Sequence, residues 1–323
     1  MQRQHLGFKR FVVLTVVSVY LLILAGGIVR TTGSGMGCPD WPKCFGRWVP
    51  PTEVSQLPAD YKTKYVVHGY QTEFNAVKTW IEYINRLLGA LIGIFIIVAF
   101  VLSLQYKTDK TIRILCGLAL LMVILEGIVG KYVVSTNLKP LLISFHLWGS
   151  IFIIVLLIYV MCRVWRENLQ VENIIHLDQL KTINVLLIAA TIIQTIIGTQ
   201  VRQQIDDLSM SLGFERRLEW IERLDYYFHL HRTFSIVVFL IHVYFIYKLY
   251  KSNSGSVIKW SCYGLALLVA IEMIGGITMG NFGIPAFVQP IHMLGATMLL
   301  GLQFFVLFVF RLNATNSAIQ LRQ

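Results

Sequence analysis

Two stretches of this chain repeat each other, and the repeat carries imidazoles. Arg86 corresponds to Arg232, Glu126 to Glu272, Gly130 to Gly276, His146 to His292 and Gly149 to Gly295, each pair 146 residues apart. The position before the arginine is Asn85 in the first copy and His231 in the second, and 61 residues separate it from the later histidine in both. The chain holds eight histidines in all, so a fixed offset that includes one marks a duplicated site. Two bundle helices that each turn one imidazole inward can clamp a flat porphyrin and ligate its iron from both sides. His231 and His292 are the expected axial pair. A lone histidine between membrane helices is more often a polar residue satisfied by a neighbour, but the duplicated spacing tips the reading toward iron. His229, two positions from His231, points about 200° away around the helix and takes no such role.

The copies differ where chemistry would differ. Glu82 in the first is matched by Phe228 in the second. Glu82 lies three residues before Asn85 and four before Arg86, on one helical face. A carboxylate there can accept a proton or stabilise a reactive carbon centre near a heme edge. The alternative is a plain ion pair with Arg86, worth about 0.5 kcal/mol or less on an exposed helix. Arg86 and Arg232 are candidates to pair with heme propionates or simply to snorkel to water. The first copy therefore reads as catalytic and the second as an electron relay. Glu126 and Glu272 fall inside apolar segments, where an ionised carboxylate is costly unless paired. Interhelical packing beside Gly130 and Gly276 is the preferred role, a proton path the second.

The elements that must position these residues are membrane helices. The chain is 56% hydrophobic and 14% charged, with a mean hydropathy of +0.65, too apolar for an ordinary soluble domain. About 20 apolar residues span a bilayer core, and eight segments qualify: 11–29, 80–104, 112–133, 141–162, 182–201, 228–249, 258–279 and 288–310. The fold expected is an all-α polytopic protein, two tandem, pseudo-twofold-related four-helix bundles over 1–168 and 169–323. The basic start before 11–29 is read as leading into an uncleaved first helix rather than a signal peptide. The net charge of +11 sits in short loops beside apolar runs: Arg3, Lys9 and Arg10; Lys107, Lys110 and Arg113; Arg163, Arg166 and Lys181; Lys248, Lys251 and Lys259; Arg311 and Arg322. That pattern suits lipid headgroups rather than nucleic acid and puts both termini in the cytoplasm. The long loop 31–78 and a second near 202–227 then face outward, and all four repeat positions (85, 146, 231, 292) lie near that outer face.

The outer loop 31–78 opens with Gly33 to Cys44, a run rich in Gly and Pro. Cys38 and Cys44 stand on the oxidising side with five residues between them, so a disulfide is one reading, as a staple or as a thiol couple exchanging electrons with a partner. Zinc is disfavoured, because no second ligand pair is near. Cys116, Cys162 and Cys262 lie in or at the ends of spans and read as inert apolar side chains. His68 and His242 have no histidine repeat partner and read as structural. No Walker loop, dinucleotide glycine fingerprint or HExxH motif occurs in a suitable setting.

In these residues the chain resembles the heme A synthase family: Gly26 and Gly27 with Ile28 to Gly35; Cys38, Trp41, Pro42 and Cys44; Glu82 with Arg86; His146; His231 with Arg232; and His292. The resemblance covers nearly the whole chain. It implies an eight-helix enzyme of the cell membrane that oxidises a methyl group of heme O to a formyl group, giving heme A for terminal oxidases. It implies heme b held by His231 and His292, heme O received in the first half near His146, Glu82 as the catalytic carboxylate, and a functional rather than merely structural Cys38–Cys44 pair. Heme O synthase becomes a partner that could supply substrate; the electron acceptor is not implied. Two departures stand out. Asn85 replaces the histidine of many members and is a poor iron ligand, leaving His146 to hold the substrate iron with Asn85 in a hydrogen-bonding role. The second outer loop also lacks the cysteine pair some members carry. A diheme electron-transfer protein or a heme carrier are the competing classes, and neither explains Glu82 opposite Phe228.

Overall fold

The computed structural model describes residues 2–67, 70–71, 73–106, 109–171, 174–213, 216–252 and 255–320; His68, Lys107 and Arg322 lie outside the described residues. Long helices dominate: α1 (Gln2–Thr31), α3 (Ala76–Ser103), α4 (Lys110–Ser135), α5 (Pro140–Val164), α6 (Leu177–Leu212), α8 (Tyr226–Ser252), α9 (Ser256–Asn281) and α10 (Val288–Gln320). Two one-turn helices, α2 (Tyr61–Lys64) and α7 (Arg217–Trp220), lie in the connections. A two-residue antiparallel pair, β1 (Val66–Val67) and β2 (Tyr70–Gln71), interrupts the first long connection. Each long helix contains a stretch long and apolar enough to cross a membrane, eight in all among the described residues. The chain is a multi-pass membrane protein. Side chains such as Leu21, Ile94, Ile114, Leu186 and Leu240 are more than half exposed, the condition expected where lipid tails cover them.

Local chemistry starts these helices. The Asn75 side chain accepts from the Lys78 N–H at 3.0 Å and caps α3; Asp109 accepts from Thr111 N–H at 3.0 Å and caps α4. Each satisfies a donor that the first turn leaves orphaned. The largest difference from the expected spans is at α6, which runs on to Leu212 instead of ending near 201. Its added turns are polar on one side, with Arg202 and Asp206 paired at 2.8 Å one turn apart. Their other side is apolar: Val201 and Ile205 are buried against Trp220, Leu224 and Ile284.

The chain divides into two compact units, residues 1–157 and 158–323. In unit 1, α1 packs on α3 and α3 on α4. In unit 2 the packing closes a ring, α6 on α8, α8 on α9, α9 on α10 and α10 on α6, around Leu187, Phe245, Leu249, Leu265 and Phe310. Association inside lipid rests on close packing and interhelical hydrogen bonds rather than on expelled water, so polar groups inside each unit become informative.

Candidate functional site

His231 lies in the second turn of α8 and His292 in the second turn of α10. Their ring centroids are 6.4 Å apart, with planes at 79°. A metal bound at about 2.0 Å to one nitrogen of each ring would hold the two ring centres about 6 Å apart. The spacing therefore fits two axial imidazoles on one iron. Glycines make the room: a Cβ on Gly198 of α6 would come within 3.1 Å of the His231 ring, and one on Gly275 of α9 within 3.2 Å of His292 Nδ1. The Nδ1 atoms of both rings are buried without a hydrogen bond. Buried polar groups are nearly always paired, so two such imidazoles at one place, one with Glu272 Oε2 at 3.1 Å from its Nδ1, fit rings whose orientation is set when a ligand is bound. Gln194 donates to the His231 carbonyl at 3.0 Å and lies 3.4 Å from its Nε2. Arg232 is exposed.

Eleven residues deeper on each of the same two helices, within about 20° of the same face, stand His242 and Gln303. His242 Nε2 and Gln303 Nε2 are 2.8 Å apart, Gln303 also donates to Thr191 Oγ1 at 2.9 Å, and Asn184 donates to the Gln303 carbonyl at 3.0 Å. His242 Nδ1 reaches the Val238 carbonyl at 2.8 Å. All four side chains are buried, which agrees with a structural reading of His242.

In unit 1 the matching helix ends are covered by the connection between α1 and α3. Cys38 and Cys44 form a disulfide, and Phe45 beside them is buried among Tyr61, Tyr65 and Phe74. Gly37 lies flush on α3: a Cβ there would stand 2.6 Å from the Lys78 carbonyl carbon. Glu82, only 4% exposed, accepts from the Cys38 N–H at 2.9 Å and pairs with Arg86. The Arg86 guanidinium also donates to the carbonyls of Cys38 (2.6 Å), Asp40 (2.7 Å) and Lys43 (3.1 Å). The Glu82–Arg86 pair is therefore buried and fastens the disulfide loop to α3, unlike an exposed ion pair. Asn85, one position on, keeps a buried Oδ1 without a hydrogen bond. His146, whose side chain is 44% exposed, has Glu126 Oε2 at 2.6 Å from its Nδ1.

The structure thus brings together Glu82, Arg86, Cys38 and Cys44 in one cluster, His146 with Glu126 in another, and His231, His292 and Glu272 in a third. Sequence reasoning missed Gln194 and the Asn184, Thr191 and Gln303 set; a polar residue in the middle of an apolar span was the available signal. Cys116, Cys162 and Cys262 are buried free thiols. Among the described residues no group of three or more His, Cys, Asp or Glu could hold a bare metal ion; two imidazoles suffice only where a macrocycle supplies the remaining ligands.

A family model described as COX15-CtaA, cytochrome oxidase assembly protein, matches residues 9–304. The chain is similar to a heme A synthase of Shewanella oneidensis, 30% identical over 166 residues, which are 50% of this chain and 48% of that protein. It is similar to a heme A synthase of Shouchella clausii, 28% identical over 144 residues, 44% of this chain and 40% of that one. A heme A synthase of Listeria welshimeri matches more widely, 24% identical over 305 residues, 91% of this chain and 92% of that one. The match to the first two relatives spans less than half of their length.

Proposed function

The chain belongs to the COX15-CtaA family, and from that premise we propose that it oxidises a methyl group of heme O to a formyl group, giving heme A for terminal oxidases. The observation that carries the reading is the spacing of His231 and His292, 6.4 Å between ring centres, set beside a first unit that keeps one histidine and adds a buried carboxyl. Unit 2 is the cofactor half, its two imidazoles holding heme b, with the exposed Arg232 available to a propionate. Bound heme b supplies one-electron redox capacity. Unit 1 is the substrate half. His146 ligates the iron of heme O, whose apolar isoprenoid tail favours entry from lipid. Asn85 offers a buried amide oxygen that has no hydrogen-bond partner among the described residues.

Glu82 is the proton acceptor at the substrate's reacting methyl. Arg86 fixes the carboxyl and, through three loop carbonyls, keeps the disulfide loop over α3; a propionate on the same guanidinium is part of this reading. The Cys38–Cys44 pair closes that loop and takes a functional role in the same half. The basic loops support a reading with both termini in the cytoplasm and the two heme sites near the extracytoplasmic face of the cell membrane. Heme O synthase is the partner whose product this unit would take, and the surrounding lipid is the route.

The test is direct. Pigments extracted from cells that express the chain with a supply of heme O should contain the formyl heme by mass. Unmodified heme in every preparation would leave the diheme relay or carrier in its place.

A further inference from the structure

Beside each of the ligand imidazoles His146 and His292 the repeat preserves a carboxyl and a glycine that the reaction above does not use. In unit 1, Glu126 of α4 places Oε2 at 2.6 Å from His146 Nδ1, while Oε1 enters the notch left by Gly149 on α5. In unit 2, Glu272 of α9 places Oε2 at 3.1 Å from His292 Nδ1, and Oε1 enters the notch of Gly295 on α10. Each glycine lies three residues beyond its histidine, on the same helix face. A Cβ would stand 2.5 Å from the Glu126 carboxyl carbon at Gly149, and 3.3 Å from that of Glu272 at Gly295. The glycines are thus the reason that the carboxyls can reach the rings.

Packing alone does not account for this. A buried carboxyl in lipid is costly without a partner, and a leucine would fill the same space without that cost. Among the described residues neither Nδ1 makes a hydrogen bond, and Glu126 Oε2 and Glu272 Oε1 likewise make none. The atoms lie in contact without forming a hydrogen bond. In unit 1 the two unpaired atoms are the ones that face each other, at 2.6 Å; in unit 2 the unpaired oxygen is the notch-side Oε1, and Oε2 lies 3.1 Å from the ring nitrogen. Each pair is a latent hydrogen bond that metal ligation would set.

We propose that Glu126 and Glu272 are positioning residues for the iron-ligating histidines. Each carboxyl accepts from Nδ1–H, fixes the tautomer and turns Nε2 toward the iron. This rests on the reading of His146 and His292 as ligands. It also predicts an asymmetry within the unit 2 pair, because among the described residues His231 Nδ1 makes no hydrogen bond and the amide of Gln194 lies instead at its Nε2.

The experiment uses the full chain in detergent and reads heme content, the low-spin absorption spectrum and the heme midpoint potential. Glu272→Leu should lose heme affinity by about 10- to 100-fold. Glu272→Gln, which keeps an acceptor oxygen, should retain the low-spin spectrum with the midpoint shifted upward, since a neutral amide supports the ferric state less. Gly295→Ala leaves the carboxyl in the chain but crowds it, and should shift heme retention in the same direction as Glu272→Leu. Wild-type heme content, spectrum and potential in Glu272→Gln and Gly295→Ala would overturn the proposal even if Glu272→Leu failed to fold. His292→Ala separates the two levels: low-spin heme surviving there sinks the ligand reading itself, whereas its loss beside unchanged Glu272 and Gly295 variants sinks only the positioning role.

Discussion

The two units share the Glu, Gly and His constellation but differ in two layers beside it. In the N-terminal turns of α3 and α8, unit 1 has Glu82 and Asn85 where unit 2 has Phe228 and His231. Glu82 is buried and hydrogen-bonded to the disulfide loop; Phe228 packs against the apolar cluster of Trp220 and Ile284. In the deeper layer the difference runs the other way. Asn184, Thr191, His242 and Gln303 of unit 2 correspond to Val12, Val19, Ile96 and Leu157 of unit 1, and all eight side chains are buried. The offset is 172 for the first helix of each unit, as in Val29 to Val201, and 146 for the others. The repeat has thus kept its Glu, Gly and His set and moved the remaining polarity, toward the helix ends in one copy and toward the helix middles in the other. Polarity inside lipid is maintained only where it has a partner or a task, so each displaced layer marks what its unit does.

The largest effect is expected from exchanging the ligand position. His231→Asn gives unit 2 the residue of unit 1 and should reduce retention of low-spin heme by more than about 100-fold, since losing a ligand exceeds losing its outer-shell support. Asn85→His makes the reverse change and should add a low-spin component to protein loaded with heme O. If His231→Asn kept its full low-spin spectrum, the two units would not differ in the way argued. Next is Glu82. Glu82→Ala should lower heme A yield by about 10²- to 10⁴-fold, the range of a lost acid–base group, with the second-unit heme spectrum intact. Glu82→Gln keeps an acceptor for the Cys38 N–H and should fall equally; recovery of yield there would reduce Glu82 to a loop anchor.

Much of this architecture was legible in the sequence. Eight apolar runs reveal eight helices because lipid forbids other lipid-exposed backbone. The limits of α6 were not legible, because residues 202–212 are polar enough to read as loop until Trp220 and Leu224 are seen covering Val201 and Ile205. The repeat picked out Glu126, Gly149, Glu272 and Gly295 as matched positions. What it could not supply was the reason for the match, since a carboxyl entering a glycine notch on another helix is a fact of packing. Arg86 shows the same limit: its loop partners Asp40 and Lys43 lie more than forty residues away in sequence.

A smaller effect tests the deep layer. Gln303→Leu, the residue of unit 1, removes the partner of His242 Nε2 and leaves that atom buried, at a cost of about 1–3 kcal/mol. Adding His242→Ile should recover most of the loss, because replacing both partners by apolar groups of similar shape is nearly neutral. Thermal unfolding in detergent of the two single variants and the double variant gives the coupling. Additive losses would mean that the layer is not one network.

The smallest effect lies in the outer connections, where the units are held by different chemistry. Unit 1 has a covalent closure, Cys38 to Cys44. Unit 2 has exposed ion pairs, with Glu219 bonded to Arg216 at 2.6 Å and within 3.5 Å of Arg223. The Arg216 hydrogen bond holds the Glu219 carboxyl below the ordinary carboxylate range, and a hydrogen bond from Gln204 does the same for Asp225. A carboxyl whose folded value is depressed contributes stability that is present above its unfolded value and is lost as pH falls through the folded one. Acid should therefore loosen residues 216–225 more than 38–47, whose Cys38–Cys44 link survives acid even where Asp40 and Glu82 lose their charge, and a thiol reductant at neutral pH should do the reverse. Hydrogen exchange of the two segments, compared between neutral pH and about pH 3, below the usual carboxylate values, reads both arms, with molar salt expected to weaken only the second-unit loop. Equal protection of the two segments under acid and under reductant would show that neither set of bonds governs its loop.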